Sequence, residues 1–132
     1  MERLTPQEAW ASVKERQAQP LVGLDENDVK YAFLQGNEVL RFTFCERNRE
    51  GTLDLGKLLK DGFNDLKDHL AGALAMVIEL YSAKDHPLMM DDMNGLNDFM
   101  ELATNHVEDI RWGLNVAAST DYVLSADVYV VI

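Results

Sequence analysis

The sequence predicts an α+β fold, a two-layer sandwich in which helices lie on a four-stranded mixed sheet. Three observations predict it. Val39–Cys45 and Ile110–Ala118 alternate apolar and polar residues, the period of strands with one buried face. Leu74–Tyr81 is nearly continuous apolar, as a strand buried on both faces requires. Between the strands, Thr52–Leu66 and Met89–Ala103 carry apolar residues at helical spacing.

Each element has its own signals. Thr5 is the expected N-cap of a first helix, Pro6 takes the first helical position, and Glu8 completes a capping box. Leu4 and Ala9 stand at the staple positions, Trp10 and Val13 supply a modest apolar face, and the helix ends before Pro20. Residues 21 to 36 admit two readings. Asp25 can cap a helix carrying Val29, Ala32 and Phe33 on one face, with Gly36 as its stop. The rival is a hairpin of Lys30–Leu34 with Val39–Cys45, turned at Gln35-Gly36-Asn37. The resemblance described below favours the helix. In Val39–Cys45 the stripe is Leu40, Phe42 and Phe44, with Cys45 on the opposite face. The next helix buries Leu55, Leu58, Leu59, Phe63 and Leu66, and the one after it Met89, Met93, Leu96, Met100 and Ala103. Ile110, Trp112, Leu114 and Val116 alternate, and Asp127–Ile132 is the last strand.

A chain of 132 residues is one domain, spanning 1–132, and is long enough to bury a core without disulfides. Its net charge of −11, from 12 basic and 23 acidic residues, argues against nucleic acid, which needs clustered Lys and Arg. The apolar run Leu74–Ile78 is too short to span a bilayer. No export signal is visible and Cys45 is the single cysteine, so the cytoplasm is the expected compartment.

Several chemistries lack their residues. The glycines are each at least five positions apart, so no G-x-G occurs, and no Gly-Lys-Ser/Thr phosphate loop either. His69, His86 and His106 are isolated, with no metal-ligand spacing. Asp91-Asp92 reads as first-turn acid against a helix dipole. Cys45 has no evident activating base, and Met89, Met90, Met93 and Met100 read as core, with an adaptable partner surface as the minor alternative. No cofactor is expected.

Gly23-Leu24-Asp25-Glu26-Asn27-Asp28-Val29-Lys30 resembles the acidic N-x-D-x-x-D loop of FtsZ, the bacterial tubulin homologue of cell division, with Asp25 and Asp28 in register and Gly23 in place of the Asn. Pro20 stands near the Pro that precedes that loop. Asn48-Arg49-Glu50-Gly51 with its following helix, Leu74–Tyr81, Leu88–Ala103, Trp112-Gly113-Leu114 and Val128–Ile132 resemble successive elements of the FtsZ C-terminal domain, in order, from Pro20 to Ile132. The evidence is co-linearity rather than any one motif.

The resemblance implies a tubulin-superfamily C-terminal domain without the GTP-binding domain, for which 132 residues leave no room. In FtsZ filaments the acidic loop enters the neighbouring subunit's GTP site and positions the attacking water. By resemblance, Asp25 and Asp28 would be donated to a partner's site, and Gly23, Leu24, Glu26 and Asn27 would contact that partner. The chain is then not an enzyme by itself. Its partner would be FtsZ or a related GTPase. A simpler account also covers the acids: Asp25 as helix N-cap and Asp28 as first-turn carboxylate. The capped start at Thr5 is expected of a stand-alone relative rather than of a piece cut from mid-helix. Two further readings remain. One is a small anionic metabolite bound at a subunit interface. The other is self-association, with Asp127–Ile132 as an edge strand pairing through Tyr129 and Val131.

Overall fold

The structure, a computed structural model, describes residues 1–16, 19–22, 26–47, 54–116 and 121–132. Its elements run β1 (Glu2–Leu4), α1 (Pro6–Arg16), β2 (Gln19–Val22), α2 (Glu26–Leu34), β3 (Val39–Glu46), α3 (Leu55–Leu66), β4 (Ala75–Ser82), α4 (Met93–Thr104), β5 (Asp109–Val116) and β6 (Leu124–Val131). They form one mixed sheet in the order β1-β3-β6-β4-β5-β2. Only β4 and β5 run parallel, joined through α4; every other neighbouring pair is antiparallel.

The four expected strands are the four central ones. The sheet nevertheless has six strands, because β1 and β2 add an edge each. Both are short, three and four residues. Neither gives a legible period at that length. The layer count also differs from expectation. Leu40, Phe42, Met76, Ile78, Leu80 and the even positions of β6 pack under α3 and α4. Val39, Ala75, Val77, Tyr129 and Val131 pack under Ala9 and Val13 of α1 and Val29, Ala32 and Phe33 of α2. Helices therefore cover both faces, which makes three layers instead of two. Alternate residues of each central strand feed the two cores.

β6 is not an edge. It lies between β3 and β4 with all eight residues buried, and Tyr129 and Val131 are 0% exposed. Pairing of β6 across a dimer is thereby excluded: both its backbone edges are taken and both its faces are covered. β6 also begins at Leu124, three residues earlier than expected, because Ser125 is polar and yet buried.

The start of α1 follows its sequence signals. Glu8 N donates to Thr5 Oγ1 at 3.1 Å and Thr5 N donates to Glu8 Oε1 at 2.9 Å. Leu4 packs against the core that holds Ala9. Thr5→Ala should cost about 1 kcal/mol, read from urea unfolding. Residues 26–34 are helical, not a hairpin, and Val29, Ala32 and Phe33 are buried on the expected face. In α3, Asp54 caps Lys57 N at 2.9 Å. Gly72 turns the chain into β4 with a φ of +78°, a conformation that favours glycine. Ahead of α4, Asp92 Oδ2 accepts from Met89 N at 2.7 Å, so this acid is a cap. The methionines divide: Met93 and Met100 lean on the core, whereas Met89 and Met90 are 64% and 85% exposed. For these two, the core reading does not hold. Phe99 takes the interior position on α4 instead, edge-on to Phe63 at 5.9 Å.

Candidate functional site

The acidic segment lies only partly among the described residues. Gly23, Leu24 and Asp25 fall outside them, as does the side chain of Glu26, the first residue of α2. Asn27 and Asp28 are exposed on the first turn of α2. Asp28 is tied to the sheet. Arg111 on β5 donates through Nη1 to the Asp28 carbonyl at 2.9 Å and lies 3.5 Å from its Oδ1. Arg111 is itself fixed by Asp109, through Nε at 2.9 Å and Nη2 at 3.2 Å. Asp109 also accepts from Gln35 Nε2 at 2.8 Å, just past the other end of α2.

Both ends of α2 are thus fastened to one strand. The Asp28 carboxylate remains 66% exposed, so it is held in place without being withdrawn from solvent. The Arg111 guanidinium, chiefly through its hydrogen bonds, holds the Asp109 carboxyl below its ordinary value despite partial burial. A depressed carboxyl stabilises the fold above its unfolded pKa, and that contribution is lost as pH falls through the folded value. Asp109→Asn should therefore flatten the acid limb of a stability-against-pH curve below about pH 4, leaving the limb above neutrality unchanged.

A second polar constellation lies on the same face of the sheet, beyond the α1 and α2 core. Sequence reasoning missed it. Asp127 on β6 is 0% exposed and meets Arg16 Nη1 with both oxygens, at 3.1 and 3.0 Å. Thr43 Oγ1 donates to it at 2.8 Å. Directly opposite Asp127 on β4 stands Glu79, also 0% exposed, which accepts from Asn115 Nδ2 at 2.8 Å. Next along the strands come Cys45, Ser125, Tyr81 and Asn115, register partners across β3, β6, β4 and β5. Cys45 is half-buried on the face away from Phe42 and Phe44, with Sγ 3.5 Å from Ser125 Oγ. Nearer the helices, Tyr129 shares a 3.0 Å hydrogen bond with Ser12 of α1, and burial together with Asp127 pushes its phenol up to about 12.

The overlooked signal was the chemistry of the strands themselves. Glu79 interrupts an apolar run and Asp127 sits in another, and a carboxylate there must be paired. Among the described residues no group of three or more His, Cys, Asp or Glu is placed to hold a metal ion. Nor is any helix among them long and apolar enough to cross a membrane.

These strands and helices have known counterparts. The fold matches a point mutant of FtsZ from M. jannaschii with a TM-score of 0.63 at 13% identity, over 87% of this chain and 34% of that one. The chain has an FtsZ-like fold. CetZ from Methanosaeta thermophila matches with a TM-score of 0.59 at 10% identity, over 92% of this chain and 34% of that one. The FtsZ-like chain therefore spans about a third of the length of these solved structures, in keeping with the resemblance to one domain of such proteins. At these identities the likeness is one of fold. No protein-family model and no curated protein matches the sequence.

Proposed function

We propose that the chain is an interaction module that docks on an FtsZ-type GTPase and modulates its filament assembly or GTP turnover, with a role in cell division or a related cytoskeleton. The observation that carries this reading is the extent of the match: about nine-tenths of this chain superposes on a third of an FtsZ. A domain that shares the fold of one part of a filament subunit can occupy that part's place at a filament end. The acidic segment Gly23–Asp28 supports the reading, with Asp25 and Asp28 as carboxylates donated to a partner's GTP site. The clamp of Arg111 on α2 supports it further, because a loop that must enter another protein's site benefits from a rigid base.

On this reading the chain has no GTPase activity of its own. The test is GTP turnover and pelleting of FtsZ from the same organism, with and without this chain. A dose-dependent change, reduced at least fivefold in potency by Asp25→Ala/Asp28→Ala, is the expected result. Unchanged turnover and unchanged pelleting at a molar excess of the chain would refute it, and hydrolysis by the chain alone would contradict its assignment as a non-enzyme.

A further inference from the structure

An open groove of about 370 Å³ lies beside the Arg16–Asp127 pair, on the polar half of the sheet face that α1 only partly covers. Thr43, Cys45, Ser125 and Tyr81 line it from the sheet, and Glu15, Arg47, Asp121 and Tyr122 are also among its walls. The Tyr81 residue is 2% exposed, and its hydroxyl has no hydrogen-bond partner among the described residues. Its register partner Asn115 is also incomplete. The Asn115 amide is oriented by Nδ2, which donates to Glu79 Oε2 at 2.8 Å and to the Leu80 carbonyl at 3.1 Å. That leaves Asn115 Oδ1 buried without a donor among the described residues. Among the described residues, two register partners thus each hold a buried oxygen that is missing a hydrogen bond. Such groups are rare in folded chains, and each calls for an occupant.

The charges indicate which occupant. Among the described residues, the groove and the layer directly beneath it bring together the carboxylates of Glu15, Asp121, Asp127 and Glu79. Against them stand three guanidiniums, Arg16, Arg41 and Arg47, of which Arg16 is committed to Asp127 and Arg41 to Glu2. Both tyrosines of the groove register this field. Burial first, and then the negative charge of Asp127, hold the Tyr81 and Tyr122 phenols above their ordinary value. Tyr81 is thus a neutral hydroxyl in a negative setting. An anion would meet net repulsion there. A primary ammonium brings three donors, no acceptor and a positive charge, which matches both the missing donors and the excess of carboxylates.

We propose that this groove binds a small primary-amine cation of the diamine or polyamine type, with the Tyr81 and Ser125 hydroxyl oxygens as acceptors and the carboxylates around them as counter-charge. The site stands apart from the acidic segment and does not depend on docking to a GTPase.

The experiment titrates the full chain with putrescine and with spermidine by calorimetry and by two-dimensional NMR, at constant ionic strength set with NaCl. An acidic protein attracts polyamines loosely over its surface, so the deciding variants alter no charge. Saturable binding at one site is expected, weakened about tenfold or more by Tyr81→Phe and by Ser125→Ala. Without amine, Tyr81→Phe should melt at or above the temperature of the parent chain, because it deletes a buried hydroxyl that has no partner. Sodium acetate should produce no saturable shift at these residues. The proposal is overturned if neither amine saturates, if affinity is the same in both variants, or if acetate competes for the same site. Should Tyr81→Phe fail to fold, Ser125→Ala decides alone by the same criterion.

Discussion

Gly95→Val is expected to cost about 3 kcal/mol or more, a large share of the roughly 5–15 kcal/mol that holds a domain of this size together. Gly95 lies in the first turn of α4, where that helix crosses α3 at Gly56. A Cβ at position 95 would sit 2.5 Å from both the Cα and the N of Gly56. Those are backbone atoms of a helix, so no side chain can rotate away. The two helices must separate, and Leu55, Leu59, Leu96 and Phe99 between them and the sheet would lose contact with one another. The reverse change should be milder. A Cβ at position 56 meets the Gly95 Cα at 3.3 Å, a contact that a shift of a few tenths of an ångström relieves. Urea unfolding followed by circular dichroism should therefore rank Gly95→Val well below Gly56→Ala. Equal stabilities would mean that the helices do not meet as described.

Arg16→Leu should be the second severe change, at about 3 kcal/mol. The guanidinium is the only cation on the buried Asp127 carboxylate among the described contacts, and Glu79 stands directly across the strand pair. With Arg16 gone, Thr43 Oγ1 remains as a donor at 2.8 Å, which is too little to solvate a charge with no exposure. The compensating experiment separates charge from packing. Arg16→Leu/Asp127→Leu should recover most of the loss, since removing both partners leaves no buried charge. A single-mutant cost under about 0.5 kcal/mol would show instead that solvent screens Asp127, as it does for surface pairs.

These two sites also mark the limit of what the sequence shows. The central strands and the helices that cover them were legible because their apolar residues recur at the right period over eight or more positions, as in Val39–Glu46 and Leu55–Leu66. β1 and β2 were illegible because three or four residues carry no period, and they pair only because the neighbouring strands expose an edge. The second helical layer was hidden in the weak apolar faces of α1 and α2. Ala9, Val13, Val29 and Ala32 are small, and they are buried by close approach to the sheet rather than by bulk. The acids at 25 and 28 read as a helix cap and a first-turn carboxylate from the residues and as a donated pair through the resemblance, and the structure adds the Arg111 clamp on Asp28, which no spacing rule connects across 83 positions. The Asp127 cluster was visible in principle. A carboxylate in the middle of an apolar strand requires a partner, and Arg16 in the last turn of α1 was a candidate that only the fold brings near.

The central claim is that this FtsZ-like chain docks on an FtsZ-type GTPase, and direct binding tests it most plainly. The measurement is fluorescence anisotropy of the labelled chain titrated with FtsZ from the same organism, in GTP and in GDP. Saturable binding that is stronger in GTP and lost in Asp25→Ala/Asp28→Ala is the predicted result. An anisotropy that stays flat in both nucleotides, with the chain folded, would contradict it.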